Sequence, residues 1–311
     1  MTQAFVFPGQ GSQAVGMGQA LANTYPEAKQ VFETVNDALG QDLSALMWGG
    51  PDDELTLTEN AQPALMAVSI AVMRVLEARG LDLASAASHV AGHSLGEYSA
   101  LTAAGALQLE DTARLLKLRG QAMQRAVPVG VGAMAALLGL DFDAVAEIAA
   151  EAGSGDEIVS AANDNANGQV VISGHAGAVA RACELAKERG AKRAMELPVS
   201  APFHCALMQP AADEMAAALA DTNIAAPVVP VIANVTASAT QDSEEIRRLL
   251  VEQVTGSVRW RESMIWAADN NVTELVEIGS GKVLTGMARR IDSRLSAKAL
   301  NTPEDIDGFL S

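Results

Sequence analysis

The chain has 311 residues, 49% of them hydrophobic and 19% charged, with no compositionally biased segment to suggest disorder. That length fits one large domain, or a large domain carrying a smaller one, with a core that needs no disulfide or metal staple. The 21 Lys and Arg against 38 Asp and Glu leave a net charge of −17, which disfavours sequence-independent nucleic-acid binding and obliges any acidic partner to find a local basic patch.

Residues 4–7 form a short apolar run that ends in Pro8-Gly9-Gln10-Gly11-Ser12, the pattern of a buried strand, a tight loop and then a helix over 17–24. The same N-terminus has no cationic stretch before an apolar one, so no secretion signal is expected. Residues 27–39 read as an amphipathic helix and 62–79 as a long, largely buried one. The overlapping apolar stretch 61–76 is interrupted by Gln62 and Arg74 and is too short to span a bilayer. A brief strand over 88–92 runs directly into helix-forming 97–104, and Asp111 is placed to cap a helix reaching about 126. Strands alternating with helices predict a parallel sheet covered on both faces.

The middle of the chain changes pattern. Strand-like 131–140, helical 142–152, strands at 158–162 and 169–173 around an Asn/Gly turn, helical 176–189 and strand 193–199 give the order β-α-β-β-α-β of a ferredoxin-like unit. The expected fold class is therefore α/β: a large domain of residues 1–127 and 199–311, interrupted near Pro128 and Pro198 by a small domain of residues 128–198. The first pattern then returns as helix 208–219, strand 228–234, helix 243–253 and strand 273–278. Cys183 and Cys205 are too few for a disulfide framework, and no CxxC or His/Cys cluster suggests zinc. A soluble, reduced, cytoplasmic protein is expected.

Gly92-His93-Ser94-Leu95-Gly96 fits G-x-S-x-G between a strand and a helix. A nucleophilic serine must stand exposed on a sharp strand-to-helix turn, and flanking glycines remove the Cβ clashes such a turn creates. The helix that follows aims its N-terminal amides at the point where an oxyanion would develop. The bland alternative is a softened turn with an idle serine. A serine needs a base, and the chain offers four histidines. His89 belongs to the strand, His93 supports the turn, and His175 falls on a small-domain loop. His204, in Pro202-Phe203-His204 where the chain re-enters the large domain, is the best candidate because clefts favour domain junctions; the alternative is a helix-capping histidine. No acid presents itself as a third member, and an amide or backbone carbonyl could equally hold the tautomer.

On the helix over 111–126, Arg114, Lys117, Gln121, Gln124 and Arg125 share a polar face, while Arg119 lies roughly 170° away among Leu115, Leu116, Ala122 and Met123. A guanidinium on an apolar face keeps its charge and must be paired. Its partner is either a structural Asp or Glu or a substrate carboxylate gripped by the guanidinium fork.

Phe7-Pro8-Gly9-Gln10-Gly11-Ser12-Gln13, Gln62-Pro63-Ala64, Gly92-His93-Ser94-Leu95-Gly96-Glu97, Arg119-Gly120, Gln169-Val170-Val171-Ile172-Ser173-Gly174, Val199-Ser200 with Phe203-His204, and Glu277-Ile278-Gly279 recur together. In this joint spacing the chain resembles the malonyl-CoA:acyl carrier protein transacylases. The resemblance implies an α/β-hydrolase-like large domain with a ferredoxin-like insert. It assigns Ser94 as nucleophile, His204 as base, the backbone amides of Gln10 and Leu95 as oxyanion donors and Arg119 as the malonyl carboxylate clamp. Gln253 falls where the family places an amide near the catalytic histidine, Gln62 lines the same cleft, and His93 is carried over as a site neighbour. Phe203 fits malonyl and differs from the small-residue pattern linked to methylmalonyl.

The implied reaction is ping-pong transfer from malonyl-CoA to acyl carrier protein in fatty acid synthesis, with no permanently bound cofactor, no membrane or nucleic-acid partner, and a monomer. Candidate cations for carrier docking are Arg189, Lys192 and Arg193, with Lys282, Arg289 and Arg290. The rival readings are a serine thioesterase or esterase, a non-catalytic docking subunit, and an acyltransferase serving a polyketide synthase.

Overall fold

Ten strands fall into two sheets in a computed structural model of the chain, which describes residues 2–199 and 201–311. Met1 and Ser200, the latter part of the Val199-Ser200 motif above, lie outside the described residues. The strands are β1 (Gln3–Phe7), β2 (His89–Gly92), β3 (Gly132–Leu138), β4 (Val159–Ala166), β5 (Gln169–His175), β6 (Arg193–Glu196), β7 (Val231–Ala233), β8 (Ser238–Thr240), β9 (Glu274–Ile278) and β10 (Ser296–Leu300). The first sheet runs β10-β9-β1-β2-β7-β8, parallel except for the antiparallel β7–β8 edge. The second runs β4-β5-β3-β6 and is antiparallel throughout.

The apolar run of β1 makes it the centre of the parallel sheet. Successive side chains of a strand point to opposite faces. Phe5 and Phe7 enter the large core built around the Thr58–Ala78 helix, whereas Ala4 and Val6 join Ile232, Trp260, Leu275 and Met287 on the other side. Both faces are covered, as a parallel sheet requires. The Thr58–Ala78 helix has the length and hydropathy of a membrane span, contrary to the shorter stretch expected, but 83% of its apolar window is buried inside the fold.

The same alternation splits the antiparallel sheet. Ala133, Ala135, Leu137, Val170 and Ile172 pack under the helices Phe142–Ala152 and Ala176–Glu188, forming a core of their own. Met134 and Val171 face the other way, into the large core. Strand β4 is stitched to the rest of the chain by exchange of backbone hydrogen bonds with Val258 and by the Arg261 guanidinium on the buried Asp164 carboxylate.

Elements expected from the sequence fall close to their predicted places, with corrections at the ends. The helix carrying Arg119 spans Leu109–Ala126 and begins at Gln108 without a side-chain cap, so Asp111 sits in its first turn instead of capping it. Strand β4 runs four residues beyond the predicted end, to Ala166, while β6 stops at Glu196. The helices Trp260–Asp269 and Val283–Ile291 and the edge strands β8 and β10 were not anticipated.

Candidate active site

The C-terminal ends of β1, β2 and β7 converge where ligands bind in open parallel sheets. Leaving β2, the chain turns sharply at Ser94, whose φ is 53°, and enters the Gly96–Ala103 helix. A Cβ on Gly92 would stand 1.8 Å from the carbonyl carbon of Gly96, and one on Gly96 would stand 2.3 Å from the carbonyl oxygen of Phe7. Glycine is therefore obligatory at both positions, and the elbow is pressed against the end of β1. Asn234, just past β7, secures the turn from both sides. Its Oδ1 accepts from the Ser94 amide at 2.8 Å, and its Nδ2 donates to the Gly92 carbonyl at 2.7 Å.

The Ser94 hydroxyl donates to His204 Nε2 over 2.7 Å. His204 Nδ1 donates to the backbone carbonyls of Gln253 at 2.9 Å and Gly256 at 3.2 Å. Those carbonyls fix the tautomer that leaves Nε2 as the acceptor, so no carboxylate completes the pair. Burial, with the Arg119 cation nearby, lowers the His204 pKa to about 3, which keeps the imidazole neutral and able to take a proton.

Arg119 is 1% exposed. Its Nη1 donates to Gln62 Oε1 at 2.7 Å and its Nη2 to Gln253 Oε1 at 3.0 Å and to Ser94 Oγ at 3.1 Å. The Tyr98 ring centroid lies 5.8 Å away. Among the described residues Arg119 has no ion-pair partner, and its buried Nε has no acceptor. Neutral amides orient the guanidinium without cancelling its charge, and burial pushes its pKa down. Glu97, the buried carboxylate that acts on it electrostatically, bonds to the far side of the Gln253 amide, whose Nε2 donates to Glu97 Oε2 at 3.1 Å. Burial raises the Glu97 pKa to about 7 against the lowering effect of the Asn234 amide, Gln253 and Arg119.

The cleft around these groups has a volume of about 360 Å³ and is lined by Gln10, Gln62, His93, Ser94, Leu95, Arg119, Phe203 and His204, together with Met134, Asn163, Asn165 and Val171 from the antiparallel sheet. Among the described residues the backbone amides of Gln10 and Leu95 have no acceptor. Every site residue expected from the sequence is thus in or at one cleft, with Gln253 immediately behind it. His93 does more than support the turn: its Nε2 lies 2.8 Å from Asn165 Oδ1 and its ring packs near Trp260. Of the other histidines, His89 packs its edge on Trp266, and His175 accepts from the Ile158 amide.

Asn234, Asn165 and the Glu97 carboxylate were not singled out from the sequence. For Asn234 the signal was its place at the end of a predicted parallel strand. Of the candidate docking cations, Arg189 pairs with Glu147 and Glu151, whereas exposed Lys192, Arg193, Lys282, Arg289 and Arg290 have no ion-pair partner among the described residues.

A strained serine elbow, a tautomer-locked histidine and a cleft at the strand ends define a class of acyl-transfer proteins, and the acyl transferase domain family matches residues 4–294. The malonyl CoA-acyl carrier protein transacylase of Escherichia coli K12 is 49% identical over 304 residues, covering 97% of each chain. An acyl-carrier-protein-S-malonyltransferase crystal structure from Bartonella henselae superposes with a TM-score of 0.97 at 57% identity, covering 100% of this chain and 98% of that one. A malonyl-transacylase in complex with its type II PKS acyl-carrier protein gives 0.96 at 46% identity, covering 100% and 99%. The chain belongs to the malonyl CoA-acyl carrier protein transacylase family.

Proposed function

We propose that this protein transfers the malonyl group of malonyl-CoA to the phosphopantetheine thiol of an acyl carrier protein, through an ester on Ser94, and so supplies extender units for fatty acid synthesis. The observation that carries this reading is the buried, uncancelled guanidinium of Arg119, 3.1 Å from the serine oxygen. A thioesterase has no use for such a charge. An acyl group that ends in a carboxylate pairs with it, and a charge-assisted bidentate contact fixes the acyl chain beside the nucleophile.

His204 takes the Ser94 proton as the oxygen attacks the thioester carbonyl, and the amides of Gln10 and Leu95 receive the developing oxyanion. Collapse of the adduct breaks the C–S bond, and the His204 proton leaves on the thiol of coenzyme A. The carrier thiol then gives its proton to His204 and attacks the serine ester, and the proton returns to Ser94. Gln253 serves two parts of this site, its backbone carbonyl orienting His204 and its side chain orienting Arg119. Phe203, in the cleft wall, fits malonyl as the preferred acyl group.

The β-α-β-β-α-β order and the sheet order β4-β5-β3-β6 support reading residues 128–198 as a ferredoxin-like insert in an α/β-hydrolase-like body of residues 1–127 and 199–311. A cleft complete within one chain supports a monomer as the working unit. Two unbridged cysteines support a cytoplasmic location, and the chemistry above calls for no resident cofactor or membrane.

Intact-mass measurement after mixing with malonyl-CoA tests the core of this reading. The expected result is a mass gain of one malonyl group that Ser94→Ala abolishes and that carrier thiol removes. Rapid release of free malonate without a carrier, or a malonyl group retained by Ser94→Ala, would overturn it.

A further inference from the structure

Arg119 is the first member of a hydrogen-bond chain that does not stop at Gln62. Gln62 Oε1 accepts from Arg119 at 2.7 Å, Gln62 Nε2 donates to Thr58 Oγ1 at 2.8 Å, and Thr58 Oγ1 donates to Gln10 Oε1 at 3.0 Å. The direction of both links at Gln62 is dictated. A guanidinium only donates, so the Gln62 carbonyl must face it and the Gln62 amino group must face Thr58. The hydroxyl accepts there and has one proton left, which goes to Gln10. Thr58 and Gln62 are one turn apart on the Thr58–Ala78 helix and therefore share a face. The Arg119 helix crosses this point in backbone contact, because a Cβ on Gly120 would lie 2.5 Å from Glu59 Cα and 2.7 Å from the Thr58 carbonyl oxygen.

Thr58 is 1% exposed, and the hydrogen bonds of its hydroxyl run to Gln10 and Gln62, one step removed from the nucleophile and the clamp. The chain it completes joins the two ends of the site that a malonyl group must reach at once: the cation for its carboxylate and the loop whose Gln10 amide faces its thioester carbonyl. The geometry points to Thr58 as a positioning residue that sets the spacing between the carboxylate clamp and the oxyanion loop, and so helps the site select a three-carbon acyl group that ends in a carboxylate. This rests on the malonyl-transfer reading above. An acyl group without a terminal carboxylate engages only the loop, so it gains little from the spacing.

The test compares acylation of Ser94 by malonyl-CoA and acetyl-CoA in rapid-quench mass measurements for wild type, Thr58→Val and Thr58→Ser. Valine keeps the shape and removes the hydroxyl. We expect Thr58→Val to slow malonyl acylation about tenfold, the usual scale for one buried hydrogen-bond link, with KM for malonyl-CoA little changed. Acetyl acylation should slow no more than about twofold, and Thr58→Ser should restore malonyl acylation. Equal loss with both thioesters, or no loss with either, overturns the assignment. Should the valine variant fail to fold, Thr58→Ala carries the same comparison. If the wild type takes no malonyl group, the reading of the site falls and this inference with it. If the wild type is acylated and the Thr58 variants keep its malonyl-to-acetyl preference, this inference alone falls.

Discussion

The two sheets meet the cleft in different ways. The parallel sheet brings it strand ends: the loop after β1 with Gln10, the elbow after β2 with Ser94 and Leu95, and Asn234 after β7. The antiparallel sheet brings it a face, with Met134 from β3, Asn163 and Asn165 from β4 and Val171 from β5. Inside a sheet the backbone N–H and C=O groups are used up in the ladder, so a face offers only side chains. Where a chain leaves a strand for a helix, amides stand without partners and a residue can take a positive φ. Acyl chemistry needs those free amides, and they are found on the parallel sheet alone among these contacts. The antiparallel sheet supplies shape and amide side chains. Its strand β4 is irregular between Ala161 and Asn163 and again between Asp164 and Ala166, and such bulges re-aim side chains toward sites.

The sharpest way to break this division of labour is Gly92→Ala. The added methyl group meets backbone, which no rotamer change relieves. Acylation of Ser94 should fall by at least about a thousandfold, since a displacement of about 1 Å at a reacting group already costs about a hundredfold, and thermal stability should fall with it. A variant that acylates within tenfold of wild type would show that the elbow tolerates a shift this account forbids.

Next in size is Arg119→Ala. Malonyl acylation should drop about a hundredfold or more, the scale of discrimination when a buried polar group loses its partner. Acetyl acylation should hold or rise, because acetyl has no carboxylate to pair with the buried cation. Steady-state rates with the two thioesters provide the check. Unchanged malonyl acylation would remove the clamp from the mechanism and leave the buried guanidinium a structural role.

The same contrast explains how much was legible in the sequence. The elbow could be read because its requirement is local: a strand, two glycines and a helix within a dozen residues. Arg119 could be read because its oddity is local too, a cation on the apolar side of one helix. The β-α-β-β-α-β order was visible from alternation and turn residues. What escaped depends on contacts between distant positions. Thr58 matters through Gln10 and Gln62, and Asn234 matters through Ser94 and Gly92, pairings that no window of sequence contains. The orientation of His204 by the Gln253 and Gly256 carbonyls left no side-chain signature at all. Strand β10 escaped for another reason. Ser296–Ala299 are half-buried at the sheet edge and Leu300 is buried, and the stretch Ser-Ala-Lys-Ala-Leu holds no β-branched or aromatic residue to mark it as a strand.

The smallest expected effect falls at the seam between the two regions. Asn167, in the turn between β4 and β5, donates to the carbonyls of Arg290 at 2.8 Å and Ile291 at 3.2 Å, tying the end of the Val283–Ile291 helix to the antiparallel sheet. Arg289 and Arg290 are exposed there without ion-pair partners among the described residues, and Lys282 opens the same helix beside exposed Val283. On a chain with net charge −17, such a patch is where an acidic carrier protein can approach without repulsion. Reversing both arginines to Glu should therefore slow transfer to carrier protein several-fold, mostly in KM and most strongly at low salt, as expected when charged surfaces steer association. Transfer to free pantetheine should be unchanged, because that acceptor has no charged surface to dock. The reversal also places two acids at a helix C-terminus, which disfavours them by up to about 1 kcal/mol each, so a melting curve must accompany the rates. Equal slowing with both acceptors would mean the patch supports the fold of the seam and takes no part in docking.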